Sequence, residues 1–123
     1  PKKGRRVEQR TVFILSCGDS YALEKRPNKG LLAGLWQFPN ISGQPELDTC
    51  LDRLRSLGLQ PKELSREVHR KHIFTHIVWN MKGVYLEVSE AGGDFHWFTK
   101  EEINTQAALP TAFRLFWEEL TDV

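Results

Sequence analysis

Three histidines, His69, His72 and His76, lie close together, whereas Cys17 and Cys50 lie far from them and from each other. Imidazole and thiolate are the donors of zinc sites, which want four ligands. The cysteines fall in other elements and do not complete such a set. His69 and His72 stand an odd number of positions apart, so on a strand they point to opposite faces. Solvent or loop histidines are the better reading. The cysteines form no Cys-x-x-Cys pair and no dense framework, which favours free thiols in a reducing compartment over a disulfide.

A second group is acidic: Glu46, Asp48 and Asp52. Carboxylates are the donors that hard cations such as Mg²⁺ demand, but these three read as ordinary helix-face acids. A third group is cationic. Arg66, His69, Arg70, Lys71 and His72 come just before Phe74-Thr75-His76. Such a run suits contacts to a phosphate backbone; the alternative is an exposed strand with solvated charges. Lys2, Lys3, Arg5 and Arg6 are a further basic run, suited to nonspecific phosphate contacts.

The elements that must position these groups follow from periodicity and turn chemistry. Residues 11–17 form a β-rich run, Gly18-Asp19-Ser20 a turn, and residues 21–25 a second short strand, which together predict a hairpin. Pro27 to Gly30 is loop chemistry, and residues 31–39 suit a loop entering a short strand. A helix follows, with Pro45 at its first position and Glu46 and Asp48 in its first turn. Leu47, Cys50, Leu51, Leu54 and Leu57 recur at helical spacing as its apolar face, and Gly58 is its C-cap. Residues 65–88 are strand-like, with clear alternation at Val84, Leu86 and Val88. Residues 91–94 form a turn and 95–98 another short strand. Thr99 and Glu102 match a capping box. Pro110 opens a last helix whose Phe113, Phe116, Trp117 and Leu120 share a face. The order β-β-β-α-β-β-β-α-α predicts an α+β (mixed α/β) fold with helices on the faces of a mixed sheet.

The chain has 123 residues, 40% of them apolar and 27% charged, with 7 Phe, 4 Trp and 2 Tyr. That composition excludes wholesale disorder. No apolar run reaches the ~18–20 residues of a membrane helix, and no signal-peptide pattern opens the chain. The net charge of +1 is unevenly placed: residues 1–10 carry +4 and the rest carry −3. Residues 1–9 therefore read as a basic tail or interdomain linker and residues 10–123 as one domain. A start on Pro1 suggests a piece of a longer protein. Bulk charge does not indicate nucleic-acid binding, so that function must rest on a local site.

Two motifs carry a resemblance. Gly30-Leu-Leu-Ala-Gly-Leu-Trp-Gln-Phe-Pro39, preceded by Lys25-Arg26-Pro27, resembles the Nudix (MutT-like) stretch that stands ahead of the catalytic helix. In this longer form it is similar to the C-terminal domain of MutY-type adenine DNA glycosylases. Phe74-Thr75-His76, followed by Ile77-Val78-Trp79, resembles that family's Phe-Ser-His loop and the strand after it. The resemblance implies a Nudix-like fold, a mixed sheet packed between helices.

A Nudix hydrolase also needs clustered glutamates on its helix to hold Mg²⁺ or Mn²⁺. Anchored at Gly58, the family's Glu-Glu pair falls on Arg55 and Ser56, and its Arg-Glu pair on Leu51 and Asp52. Anchored at Phe38-Pro39, the Glu-Glu pair falls on Leu59 and Gln60. Neither frame supplies a carboxylate cluster. The resemblance therefore implies a noncatalytic domain with no metal and no cofactor of its own.

By the same resemblance, the parent protein excises adenine mispaired with 8-oxoguanine. Its catalytic domain, with a 4Fe-4S cluster, would precede residue 1. This segment would read the lesion: Thr75 by its hydroxyl, Phe74 as a wedge, His76 on the lesion strand, and Arg66, Arg70, Lys71 and His72 on phosphates. The expected partners are duplex DNA holding 8-oxoguanine·adenine and the parent's own glycosylase domain. No membrane is involved, and a monomer is expected. Location would be cytoplasmic and nucleoid-associated in a bacterium, nuclear or mitochondrial in a eukaryote. The rival readings are a Nudix hydrolase of nucleoside diphosphate-linked substrates with a degenerate metal site, and a MutT-like protein-interaction module with an exposed apolar patch.

Overall fold

The computed structural model describes residues 5–121, with side chains described through Glu118. The predicted positions of Lys2, Lys3 and the Leu120 side chain lie outside the described residues. A mixed sheet runs in the order β3-β2-β1-β6-β5, with β4 on β1 and β7 on β2. Its long members are β1 (Arg6–Cys17), β5 (Pro61–Ile73) and β6 (Ile77–Val88). The short ones are β2 (Ser20–Lys25), β3 (Trp36–Gln37), β4 (Asn40–Ser42) and β7 (His96–Thr99). The helices are α1 (Leu47–Ser56), α2 (Lys100–Gln106) and α3 (Thr111–Thr121).

Strand β6 is the spine. It pairs in parallel with β1 from Arg6↔Ile77 to Ser16↔Glu87, and antiparallel with β5. Its side chains alternate as a strand requires. Trp79, Met81 and Tyr85 join Phe113, Phe116 and Trp117 of α3 in one core, whereas Val84, Leu86 and Val88 join Cys50 and Leu54 of α1 in another. The sheet is thus sandwiched between α1 and the α2–α3 pair, as the resemblance implied. Gly83 lies on the α3 face, and the Phe116 ring fills the space where a side chain would stand.

Helix α1 ends in a Schellman motif. The Leu59 N–H donates to the Leu54 carbonyl at 3.1 Å and the Gly58 N–H to that of Arg55 at 2.9 Å. Gly58 takes the left-handed φ of +87° that this turn requires. Leu59 is thereby drawn into the core, while Leu57, predicted on the apolar face, is exposed. Helix α2 has its capping box: the Glu102 N–H donates to the Thr99 hydroxyl, and the Thr99 N–H to the Glu102 carboxylate.

Two expectations need correction. An extra strand, β4, forms where Asn40 to Ser42 pair with β1. And β1 begins at Arg6, so residues 6–9 of the predicted tail are sheet. Their polar character hid this. The partner that holds them is β6, where Ile77 to Asn80 supply the ladder and the Trp79 indole donates to Glu8 at 3.1 Å.

Candidate nucleic-acid interface

The β5–β6 hairpin carries the Phe74-Thr75-His76 motif at its tip. Ile73 and Val78 are paired, and the Phe74 N–H donates to the Ile77 carbonyl at 2.7 Å. Only Thr75 and His76 remain as the turn. Neither has positive φ, unlike the residues of the primed turns that two-residue hairpins favour. The start of β1 braces this turn instead. Arg5 Nε donates to the carbonyls of both Phe74 and Thr75 at 3.2 Å, and the Arg6 N–H donates to that of His76 at 3.1 Å.

Thr75 and His76 are both exposed. Phe74 is half-buried, with its ring edge-on to His72 at 4.6 Å and to Trp79 at 5.0 Å. Trp79 in turn meets Phe113 at 5.8 Å, so the hairpin tip is tied to the core through an aromatic series.

The cationic run does not form a single patch. The register of β5 on β6 sets Arg66, Arg70 and His72 opposite Tyr85, Met81 and Trp79 on the α3 face. It sets His69 and Lys71 opposite Lys82 and Asn80, on the α1 face. Arg66 stacks over Tyr85 at 5.7 Å, and Arg70 Nη1 donates to the His69 carbonyl at 2.8 Å. His69 and Lys71, together with Arg70, border a polar depression with Gln9, Gln44, Asn80 and Met81. The opposite facing of His69 and His72 is as their spacing required.

A polar network that the sequence reading missed flanks Trp79. The guanidiniums of Arg10 and Arg26 lie 5.3 and 5.4 Å from its ring centre. Arg10 donates twice to Asn40 Oδ1, at 3.0 and 2.6 Å. Arg26 Nη1 donates to Gln37 Oε1 at 2.7 Å, and Gln37 Nε2 donates to Glu24 at 2.8 Å. Burial lowers the pKa of both arginines and raises that of Glu24, whose shift opposes the Gln37 hydrogen bond and the nearby Arg26 charge. The signal was present in the sequence. Arg26, Gln37 and Asn40 all lie in or beside the recognised first motif, but nothing in the spacing joined them to Arg10 and Glu24.

The donor set does not fit a hard cation. Asp52 is exposed and paired with Arg55 at 3.0 Å, and Glu46 and Asp48 are exposed. Among the described residues, no three His, Cys, Asp or Glu side chains converge. Cys17 on β1 and Cys50 on α1 are free thiols, and burial raises the pKa of Cys50.

A NUDIX domain family model matches residues 11–119. The chain is 30% identical to human adenine DNA glycosylase, an alignment covering 94% of this chain and 26% of that protein. It is 30% identical to the rat adenine DNA glycosylase, covering 96% of this chain and 28% of that protein. The chain therefore spans about a quarter of the length of the curated relatives it matches. Among solved structures, the C-terminal domain of mouse MUTYH, in its complex with human PCNA, matches with a TM-score of 0.63 at 25% identity, over 94% of this chain and 88% of that one. A MutT protein from Methanosarcina mazei Go1 matches with a TM-score of 0.68 at 17% identity, covering 98% of this chain and 97% of that one, which is a likeness of fold. The mixed sheet between helices, the Leu-Leu-Ala-Gly-Leu-Trp-Gln-Phe-Pro stretch and the match over residues 11–119 agree: the chain belongs to the NUDIX domain family.

Proposed function

We propose that this domain reads 8-oxoguanine for an adenine DNA glycosylase whose preceding domain, with its 4Fe-4S cluster, excises the mispaired adenine. The observation that carries this reading is the 30% identity to adenine DNA glycosylases across nearly the whole chain. The hairpin supports it with suitable chemistry at its tip.

Guanine N7 is an acceptor. Oxidation at C8 turns N7 into an N–H donor and adds a carbonyl oxygen. A hydroxyl that accepts from N7 therefore separates the lesion from the normal base. Thr75 offers that hydroxyl on an exposed turn whose backbone Arg5 holds from behind. Its methyl restricts χ1 relative to serine. His76 lies beside it for the lesion strand. Arg66, Arg70 and His72 on one sheet face, and Lys71 on the other, offer backbone contacts on either side of the hairpin. Phe74 enters a base step only by giving up its contacts with His72 and Trp79.

We infer that the domain itself carries no diphosphohydrolase site, because its helix acids are exposed and dispersed. Turnover of 8-oxo-dGTP with Mn²⁺ that disappears on Asp52→Ala would contradict this. Protein docking is a second role, supported by the complex of the mouse domain with human PCNA. Val7 and Ile73, both exposed, flank Val78 across three strands and give this chain an apolar strip for it.

The test is removal of the domain from the full-length protein. Preference for 8-oxoguanine·adenine over guanine·adenine should be lost while adenine excision persists. Preference unchanged by the deletion would refute the proposal.

A further inference from the structure

The sheet ends at β5, and among the described residues no strand pairs with its outer edge. The irregularities of the β5–β6 pair lie between Pro61 and Arg66; from Arg66↔Tyr85 to Ile73↔Val78 the register is unbroken. The Phe74 N–H, which donates to the Ile77 carbonyl at 2.7 Å, fixes the phase of the ladder in this stretch. Bonded and unbonded positions alternate in an antiparallel pair. The backbones of Val68, Arg70 and His72 therefore bond to β6, and those of Glu67, His69, Lys71 and Ile73 face outward. The His69 carbonyl agrees with this direction, because it accepts from the Arg70 side chain at 2.8 Å. The side chains of the same four residues are exposed.

A row of outward N–H and C=O groups is complementary to another peptide backbone. A phosphate would engage only the donors, so the row favours a polypeptide over a nucleic acid. Charge then selects among polypeptides. Residues 66–72 carry Arg66, Arg70 and Lys71 against Glu67, with His69 and His72 among them. Like charges oppose the pairing of two copies of this edge, whereas an acidic strand meets attraction.

We propose that the outer edge of β5, from Glu67 to Ile73, takes up an extended acidic segment of a partner protein as an added strand. Main-chain bonds to Glu67, His69, Lys71 and Ile73 hold the segment, and the cations of β5 select its carboxylates. The inference goes beyond lesion reading at the hairpin tip and does not depend on it.

The test titrates the isotope-labelled 123-residue chain with an acetylated peptide of alternating glutamate and valine, about eight residues long to match the regular stretch. An undamaged duplex is titrated separately, and both are followed by NMR and amide hydrogen exchange. With the peptide, exchange should slow at Glu67, His69, Lys71 and Ile73 and stay as it was at Val68, Arg70 and His72. The same peptide N-methylated throughout keeps its charge and should not bind. Lys71→Glu, at an exposed side chain, turns an attraction into a repulsion and should weaken binding about fivefold. His69→Pro removes an outward donor and leaves the β6 ladder intact, so it should weaken binding as well. Equal binding of the N-methylated peptide, or absence of the alternating protection, overturns the proposal. So does protection of these amides by the duplex but not by the peptide, which would give the edge to nucleic acid. Protection in the chain alone that grows with its concentration would assign the edge to a second copy and overturn it too.

Discussion

The ring of Phe74 sits edge-on against Trp79, 5.0 Å between centres, so the aromatic residue of the hairpin tip is seated on the core. Phe74→Ala should therefore destabilise the isolated domain as well as weaken DNA engagement. Edge-to-face aromatic pairs contribute ~0.5–1.5 kcal/mol beyond burial, so a loss of about 1–3 kcal/mol is expected for this half-buried ring. Urea denaturation measures it. An unchanged midpoint would contradict the seating of the ring on the core.

Gly83 faces Phe116, with ring atoms 2.5 Å from where a Cβ would stand. Gly83→Ala should overpack the α3 face and destabilise the fold by ~1–3 kcal/mol. Adding Phe116→Leu should recover part of that loss. Equal stability of wild type and Gly83→Ala in thermal denaturation would contradict the packing described.

Glu24 gives a pH dependence with a definite sign. Burial raises its folded pKa above the ordinary carboxylate value. The folded state then binds the proton more tightly than the unfolded state, so this group's contribution to stability falls as pH rises through the window between the two values. Glu24→Gln removes the titration and leaves an amide oxygen for Gln37. The stability of Glu24→Gln relative to wild type should rise with pH across that window and then level off. Denaturation at a series of pH values checks this; a difference that falls with rising pH would reverse the assignment.

Thr99 closes the capping box of α2. Thr99→Ala should cost about 1 kcal/mol, the usual value of an N-cap hydroxyl. Hydrogen exchange in residues 100–106 should rise with it, and exchange confined to its wild-type rate would refute a role for the cap.

The long periodic elements were legible in the sequence because their residues share one physical demand. Val84, Leu86 and Val88 alternate, and Cys50 and Leu54 repeat at helical spacing, as burial on one face requires. The polar start of β1 was not legible. Its ladder depends on residues about 70 positions away in β6, and its side chains are largely exposed. The hairpin tip was found through a motif, yet its brace by Arg5 was not, since Arg5 reads as one more charge in a basic run. The cationic run was visible as composition, but only the register of β5 on β6 reveals its division between two faces. The Arg10–Asn40 and Arg26–Gln37 bonds link segments brought together by β4 and β3, strands too short to announce themselves.

If the Thr75 hydroxyl reads the lesion, the affinity ratio of the full-length protein for 8-oxoguanine·adenine over guanine·adenine duplexes reports it most directly. Thr75 is exposed, so Thr75→Val should leave the fold intact. It should reduce the ratio by the ~1–3 kcal/mol of one good base contact, and Thr75→Ser should retain it. A ratio unchanged in Thr75→Val would show that Thr75 does not read the lesion.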